Sequence, residues 1–204
     1  VIHSQHRDGL SLLTIDRPDK ANALTAAMLR DLRAGVDAAR DSGARALILT
    51  GTGRIFSAGA DLDEARAGLA TAPEWQDLSG ALAALPCLTI AALNGTLAGG
   101  AFGMALACDI RLAVPEARFF YPVMRLGFLP QPGDPGRLVA LVGPARARMI
   151  LMGGARIEAP EALAWGLVDR LHPAPDLADA ARALATDALA ADAAHVAAIK
   201  AMTR

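Results

Sequence analysis

The chain has 204 residues, 53% of them hydrophobic, and a formal charge of -1, enough for one compact domain with a sizeable core. So even a balance gives no footprint for nucleic acid. Four scattered histidines, His3, His6, His172 and His195, lack the i, i+4 pairing that sets two metal ligands on one helical face, so no metal is implied.

Residues 10–15 read as a short apolar strand, followed by a loop at Arg17-Pro18-Asp19-Lys20. Thr25 is placed to cap a helix over Ala26–Asp41, where Met28, Leu29, Leu32 and Val36 recur at helical spacing. Ser42-Gly43 ends it. Residues 46–50 form a buried strand running into Gly51-Thr52-Gly53. A second cycle has a strand over 88–93, a turn at Asn94-Gly95 and a helix over 100–107, and a third begins with a strand over 110–114. The remainder is mostly helical, over 144–152, 159–165 and 177–202, with breaks at Gly153-Gly154 and His172-Pro173-Ala174-Pro175. Strands alternating with helices place the chain in the α/β class.

Residues 78–108 carry no charge, which is long enough for a membrane span. Pro86, Asn94-Gly95 and Gly99-Gly100 interrupt the run, and acidic Asp77 and Asp109 flank it, so a buried strand, turn and helix is the expectation, with no membrane partner. The N-terminus lacks the apolar core of a signal peptide. Cys87 and Cys108 sit in apolar company without CxxC spacing, as buried, inert thiols in a reducing compartment. The cytoplasm is the expected location. Lysine occurs only at Lys20 and Lys200 while Ala, Arg and Gly abound, which reflects coding bias rather than function.

Two stretches point to chemistry: Phe56-Ser57-Ala58-Gly59-Ala60-Asp61-Leu62, and Ala98-Gly99-Gly100-Ala101 ahead of Cys108-Asp109. Each follows an apolar strand-like run and opens a helix-like run, so each can turn a backbone N–H and a helix dipole toward developing negative charge. Taken singly, either is a plain strand-to-helix connection. Residues 98–103 imitate a dinucleotide fingerprint, but its first glycine is Ala98 and residues 94–97 separate it from the strand. Ser57-Ala58-Gly59 is half a nucleophile elbow, with Ile55 where the leading glycine belongs.

In order and with their flanks, these stretches resemble the crotonase superfamily, the enoyl-CoA hydratase/isomerase family, over nearly the whole chain. Arg17-Pro18-Asp19-Lys20-Ala21-Asn22-Ala23-Leu24 is similar to the family's CoA-contacting loop. Leu126-Gly127-Phe128-Leu129-Pro130, and residues 153–157 through 164–168, match further family stretches. The resemblance implies a ββα spiral in one domain over 1–204, with the spiral core in 1–142 and a mainly helical part in 143–204. It also implies an acyl-CoA enzyme whose Ala60 and Gly100 amides polarise the thioester carbonyl and stabilise an enolate. No permanently bound cofactor is implied, coenzyme A being part of the substrate, and the assembly would be a homo-oligomer, trimer or hexamer. Family members continue for several helices past the position of Met202, so the usual last helices are expected to be absent.

The resemblance places the two hydratase glutamates at Gly103 and Val123, and the acidic residue of many isomerase members at Gln131. None of the three can act as a base at neutral pH. Asp134 is the nearest carboxylate and the candidate catalytic group, on a Pro- and Gly-rich loop able to swing it toward the acyl group. The alternative is that it caps the next helix or pairs with Arg137, places that aspartate prefers. Tyr121 can donate a hydrogen bond to the acyl group, or belong to the core beside Phe119 and Phe120. Arg125 can meet a carboxylated acyl group or lie in solvent. Lys20, Ala21, Ala58, Gly59, Asp61, Leu62 and Gln131 complete the substrate-binding set, Asp61 also accepting N–H bonds in the first helical turn. Asp63 and Arg66 lie where the nucleotide would approach. Simple two-glutamate hydration is disfavoured, isomerisation, decarboxylation and thioester hydrolysis stay open, and the alternative is an inactive acyl-CoA-binding protein.

Overall fold

A computed structural model describes residues 1–203. Strands β1 (Ile2–Arg7) and β2 (Leu10–Ile15) form an antiparallel hairpin through Asp8 and Gly9, both at positive φ. Helix α1 (Ala26–Asp41) has the bounds its periodicity predicts, and the Thr25 hydroxyl accepts from the Met28 N–H at 3.2 Å. Strands β3 (Ala46–Gly51) and β4 (Ile55–Ser57) lead into α2 (Leu62–Arg66) and α3 (Glu74–Ala84). Then β5 (Leu88–Leu93) and β6 (Thr96–Ala98) lead into α4 (Phe102–Ala107) through a 3-10 turn at Gly99–Ala101. Strands β7 (Ile110–Ala113) and β8 (Arg118–Phe120) lead into α5 (Val123–Leu126) and α6 (Asp134–Leu151). The rest runs β9 (Ile157–Glu158), α7 (Ala159–Trp165), β10 (Arg170–Leu171), α8 (Leu177–Leu184), α9 (Thr186–Ala190) and α10 (Ala193–Met202).

In each central pair of strands the first joins a sheet ordered β1-β2-β3-β5-β7-β10, and the second joins one ordered β4-β6-β8-β9. Pairing is parallel except at β1–β2 and β8–β9. That repetition of two strands and a helix is the ββα spiral. Strands β3 and β5 are buried along most of their length, as parallel strands covered on both faces must be, which is why they read as unbroken apolar runs.

The corners between the sheets are tight. Asn94 accepts from the Gly51 N–H at 3.0 Å and donates to the Gly53 and Ile55 carbonyls. A Cβ on Gly95 would lie 2.0 Å from the Arg54 carbonyl oxygen, so the corner admits no side chain there.

The uncharged stretch is divided among α3, β5, β6, the 3-10 turn and α4, and no helix of the described residues is long and apolar enough to cross a membrane. The C-terminal part is less purely helical than predicted, because β9 and β10 extend the two sheets. The 177–202 run is mostly helical as expected, in three helices, and α6 kinks at Gly143 (φ 79°) before Pro144. Both cysteines are buried free thiols, pushed by burial up to about 11 at Cys87 and about 12 at Cys108.

Candidate active site

In the first Gly-containing stretch Ser57, Ala58, Gly59 and Asp61 are each fixed by hydrogen bonds. The buried Ser57 hydroxyl donates to the Asn22 carbonyl at 2.8 Å and accepts from the Gly59 N–H at 3.2 Å, which leaves it no role as a nucleophile. Ala58 N–H donates to the Ala21 carbonyl at 3.0 Å, joining the Arg17–Leu24 loop to this stretch as the resemblance implies. Leu24 bonds the Gly59 carbonyl and the Asp61 N–H, both at 2.8 Å, in a parallel bridge opposite Ala60. Bonds from the two neighbours of Ala60 turn its own N–H away from Leu24.

The second stretch packs directly on the first. A Cβ on Gly59 (φ +93°) would lie 2.9 Å from the Ala98 carbonyl oxygen and 3.4 Å from the Gly100 nitrogen. Only glycine allows that approach in that conformation. Gly100 belongs to a 3-10 turn whose opening N–H groups have no intrahelical acceptor. Behind it stands Trp75 of α3, whose indole would be 3.2 Å from a Cβ at Gly100 and whose Nε1–H donates to the Leu69 carbonyl at 2.8 Å. Among the described residues, neither the Ala60 nor the Gly100 N–H has an acceptor.

Both amides border a cavity of about 150 Å³, whose lining is aliphatic and aromatic apart from three polar side chains, Trp75, Tyr121 and Gln131. The Gln131 Nε2 donates to the Ala70 carbonyl at 3.3 Å, and its backbone N–H donates to the Tyr121 phenol oxygen at 3.3 Å. The Tyr121 phenol in turn donates to Asp134 Oδ2 at 2.9 Å, with its ring stacked on Phe102 at 5.3 Å between centroids.

Asp134 does not line this cavity. The predicted swing of its loop is replaced by a fixed position at the start of α6, behind Tyr121 and only 1% exposed. Nor does it cap α6 or pair with Arg137, since Gly133 is the cap residue and the Arg137 guanidinium donates to Ser79 Oγ at 3.2 Å. Asp134 Oδ1 has no hydrogen-bond partner and faces Gly103, where a Cβ would come within 2.8 Å of it. Burial pushes this carboxyl up to about 6 against the lowering effects of the Tyr121 hydrogen bond and the Arg137 charge. Burial and the Asp134 carboxylate raise the Tyr121 phenol.

Of the other predicted binding residues, Ala58 and Leu62 line the cavity, with Gly59 packed beside it. Asp61 does not. Its Oδ1 accepts from the Asp63 and Glu64 N–H groups and its Oδ2 pairs with Arg17 at 2.8 Å, an interaction that holds its carboxyl below the usual range. Both Asp61 carboxylate oxygens are thus engaged within the loop and the first turn of α2. Lys20 is exposed on the same loop, outside the cavity, and Ala21 takes φ 52° to end the turn there. Asp63 and Arg66 pair with each other at 3.1 Å in solvent, and Arg125 borders a separate surface cleft. A larger cavity, about 440 Å³, lies between Leu88, Ile110 and α10; its Asp109 and Lys200 are paired at 2.8 Å, and it is remote from both free amides.

The enoyl-CoA hydratase/isomerase family model matches residues 5–204. The chain belongs to the enoyl-CoA hydratase/isomerase family. A probable enoyl-CoA hydratase of Rhodobacter capsulatus is 37% identical over 198 residues, 95% of this chain and 77% of that protein. A probable enoyl-CoA hydratase of Mycobacterium tuberculosis is 38% identical over 201 residues, 96% of this chain and 78% of the other. The crystal structure of an enoyl-CoA hydratase from Bacillus anthracis superposes with a TM-score of 0.90 at 30% identity, covering 98% of this chain and 80% of that one. The chain is thus a family acyl-CoA enzyme with the family's fold. Within that fold Gly103 and Val123 bring no carboxylate to the site. Val123 lines the cavity, while the space beside Gly103 is filled by Asp134.

Proposed function

We propose that the chain binds an acyl-CoA thioester with its carbonyl oxygen between the Ala60 and Gly100 N–H groups and stabilises the enolate that forms when the α-carbon loses a proton. The observation that supports this is the pair of neighbouring amides without acceptors at the edge of an otherwise apolar cavity. In such a place two donors act on the developing charge without solvent reorganisation, and losing one typically costs about 2.7 to 4 kcal/mol of transition-state stabilisation. Coenzyme A would enter past Ala21 and Ala58, with Lys20 meeting phosphate as a point charge. The absence of carboxylates at 103 and 123 argues against two-glutamate hydration and favours a reaction that relocates or removes a proton.

Calorimetry with butyryl-CoA and S-butyl-CoA, which differ by the carbonyl, tests the reading. The thioester should bind about tenfold more tightly, the worth of two modest hydrogen bonds. Equal affinities would remove the amide pair from the account.

A further inference from the structure

The thioester reading leaves open which group moves the proton, and the inference drawn here rests on that reading. Of the three polar side chains on the cavity wall, an indole and a carboxamide do not exchange protons at neutral pH. Tyr121 is the remaining one. Its phenol joins the cavity wall to a carboxylate that is 1% exposed and half satisfied, with Oδ2 accepting from the phenol and Oδ1 accepting from nothing. That carboxylate lies against Gly103, three residues along from Gly100 and so on the same face of the run. It sits one turn beneath the Gly100 amide.

Replacing a buried carboxylate by an apolar side chain is ordinarily no loss to a core, and leaving one oxygen unpaired in such surroundings is destabilising. Among the described residues the phenol is its only hydrogen-bond partner. The charged group that bears on it is Arg137 of the same helix, turned toward Ser79. Around it α3 contributes uncharged Gln76 and Ser79 to the start of α6, and α4 contributes Gly103.

We propose that Tyr121 is the proton-transferring residue of this site and that Asp134 acts through it as a positioning residue and proton acceptor. The α-carbon proton bonds to the phenol oxygen as the phenol's own proton passes to Asp134 Oδ2. The C–H electron pair forms the enolate double bond, and the carbonyl π pair moves to the thioester oxygen facing the Ala60 and Gly100 amides. Asp134 ends neutral and the substrate carries the negative charge. A free phenolate never forms, in keeping with the raised phenol. Reversal returns the proton to the α-carbon or, in an unsaturated chain, to the conjugated γ-carbon.

Deuterium uptake at the α-carbon of butyryl-CoA in D₂O, followed by NMR, reads this step directly, with calorimetry of the same thioester alongside. Wild-type protein should exchange the α-proton, with a rate that rises as pH passes about 6 and then levels. Tyr121→Phe, which keeps the ring on Phe102, and Asp134→Asn should each lower the rate about 100-fold or more while still binding butyryl-CoA. No binding by wild-type protein overturns the thioester reading and this inference with it. Binding without exchange overturns the enolate step of the thioester reading and this inference with it, whereas exchange that survives in both variants overturns the inference alone. If a variant fails to fold, the wild-type profile decides, since a rate independent of pH between 5 and 8 excludes a base of this kind.

Discussion

Asp134 has a consequence for stability as well as for chemistry. Its carboxyl is raised to about 6 in the folded chain, above the value of 3.8 for an unperturbed group, so the folded state holds a proton that the unfolded state releases. Stability associated with it is present below about 4 and is lost as pH rises through 6, by on the order of 3 kcal/mol. Asp134→Asn has no such titration. Urea unfolding at pH 4.5 and pH 7 should therefore show the variant gaining on wild type by about 2 kcal/mol toward neutrality; parallel stabilities at the two values would show that Asp134 is not strained by burial. At this scale the two Gly-containing stretches were visible in the sequence, but the choice of the Ala60 and Gly100 amides came from the family resemblance, since either stretch alone reads as a plain strand-to-helix connection. The dyad was not visible. Tyr121 follows Phe119 and Phe120 and so resembles core, and an aspartate after Pro132-Gly133 resembles a cap, because one sequence cannot show that residue 134 folds back onto Gly103.

Among the elements, α1 and β5 were legible to the residue, α1 because its helical period is uninterrupted and β5 because its unbroken apolar run ends at Asn94-Gly95. Helix α3 carried the same signal, Trp75, Leu78, Ser79 and Leu82 all being buried at helical spacing, but a serine within the stripe and Gly80 beside it weakened the pattern. Strand β1 is a polar edge strand, exposed at all but its first residue, and offers no alternation to read. Asn94-Gly95 was legible as a turn, but the physical need for glycine there was not. Gly95 is needed for close approach to the Arg54 backbone, not for a left-handed φ. Gly95→Ala must therefore push apart the β3–β4 and β5–β6 corners, which hold the two amide-bearing loops in register. We expect a loss near the upper end of the overpacking range, about 3 kcal/mol, read as a lower urea midpoint. A midpoint within error of wild type would mean that the corner can yield.

At the scale of the whole molecule, most of the C-terminal part joins the core through buried apolar residues such as Ile157, Leu167, Leu177 and Ala181, whereas its last helix is held to the spiral by a charged side chain. Helix α10 has no buried residue, with Ile199 52% and Met202 84% exposed. What fastens it is Lys200, whose Nζ donates to the Cys87 carbonyl and to Asp109 Oδ2, both at 2.8 Å. Asp109 in turn accepts from the Thr89 N–H and hydroxyl, so one ion pair connects α10 to the starts of β5 and β7. Buried Arg111 does the same for the turn before β10, bonding the Leu167 and Cys108 carbonyls and Asp169. The sequence showed the rarity of lysine but not why one persists at 200, since its partners lie about a hundred positions away. Lys200→Met keeps the side-chain stem and removes the donor. Hydrogen bonds to charged groups contribute about 1.5 to 3 kcal/mol, so amide exchange across residues 193–203 should quicken at least tenfold. Exchange in β3 and α1 should not change, because those elements rest on apolar core. If α10 exchanges at the wild-type rate in the variant, the apolar contacts of its inner face, rather than Lys200, supply its hold. If β3 quickens as well, the C-terminal helices and the spiral open as one unit.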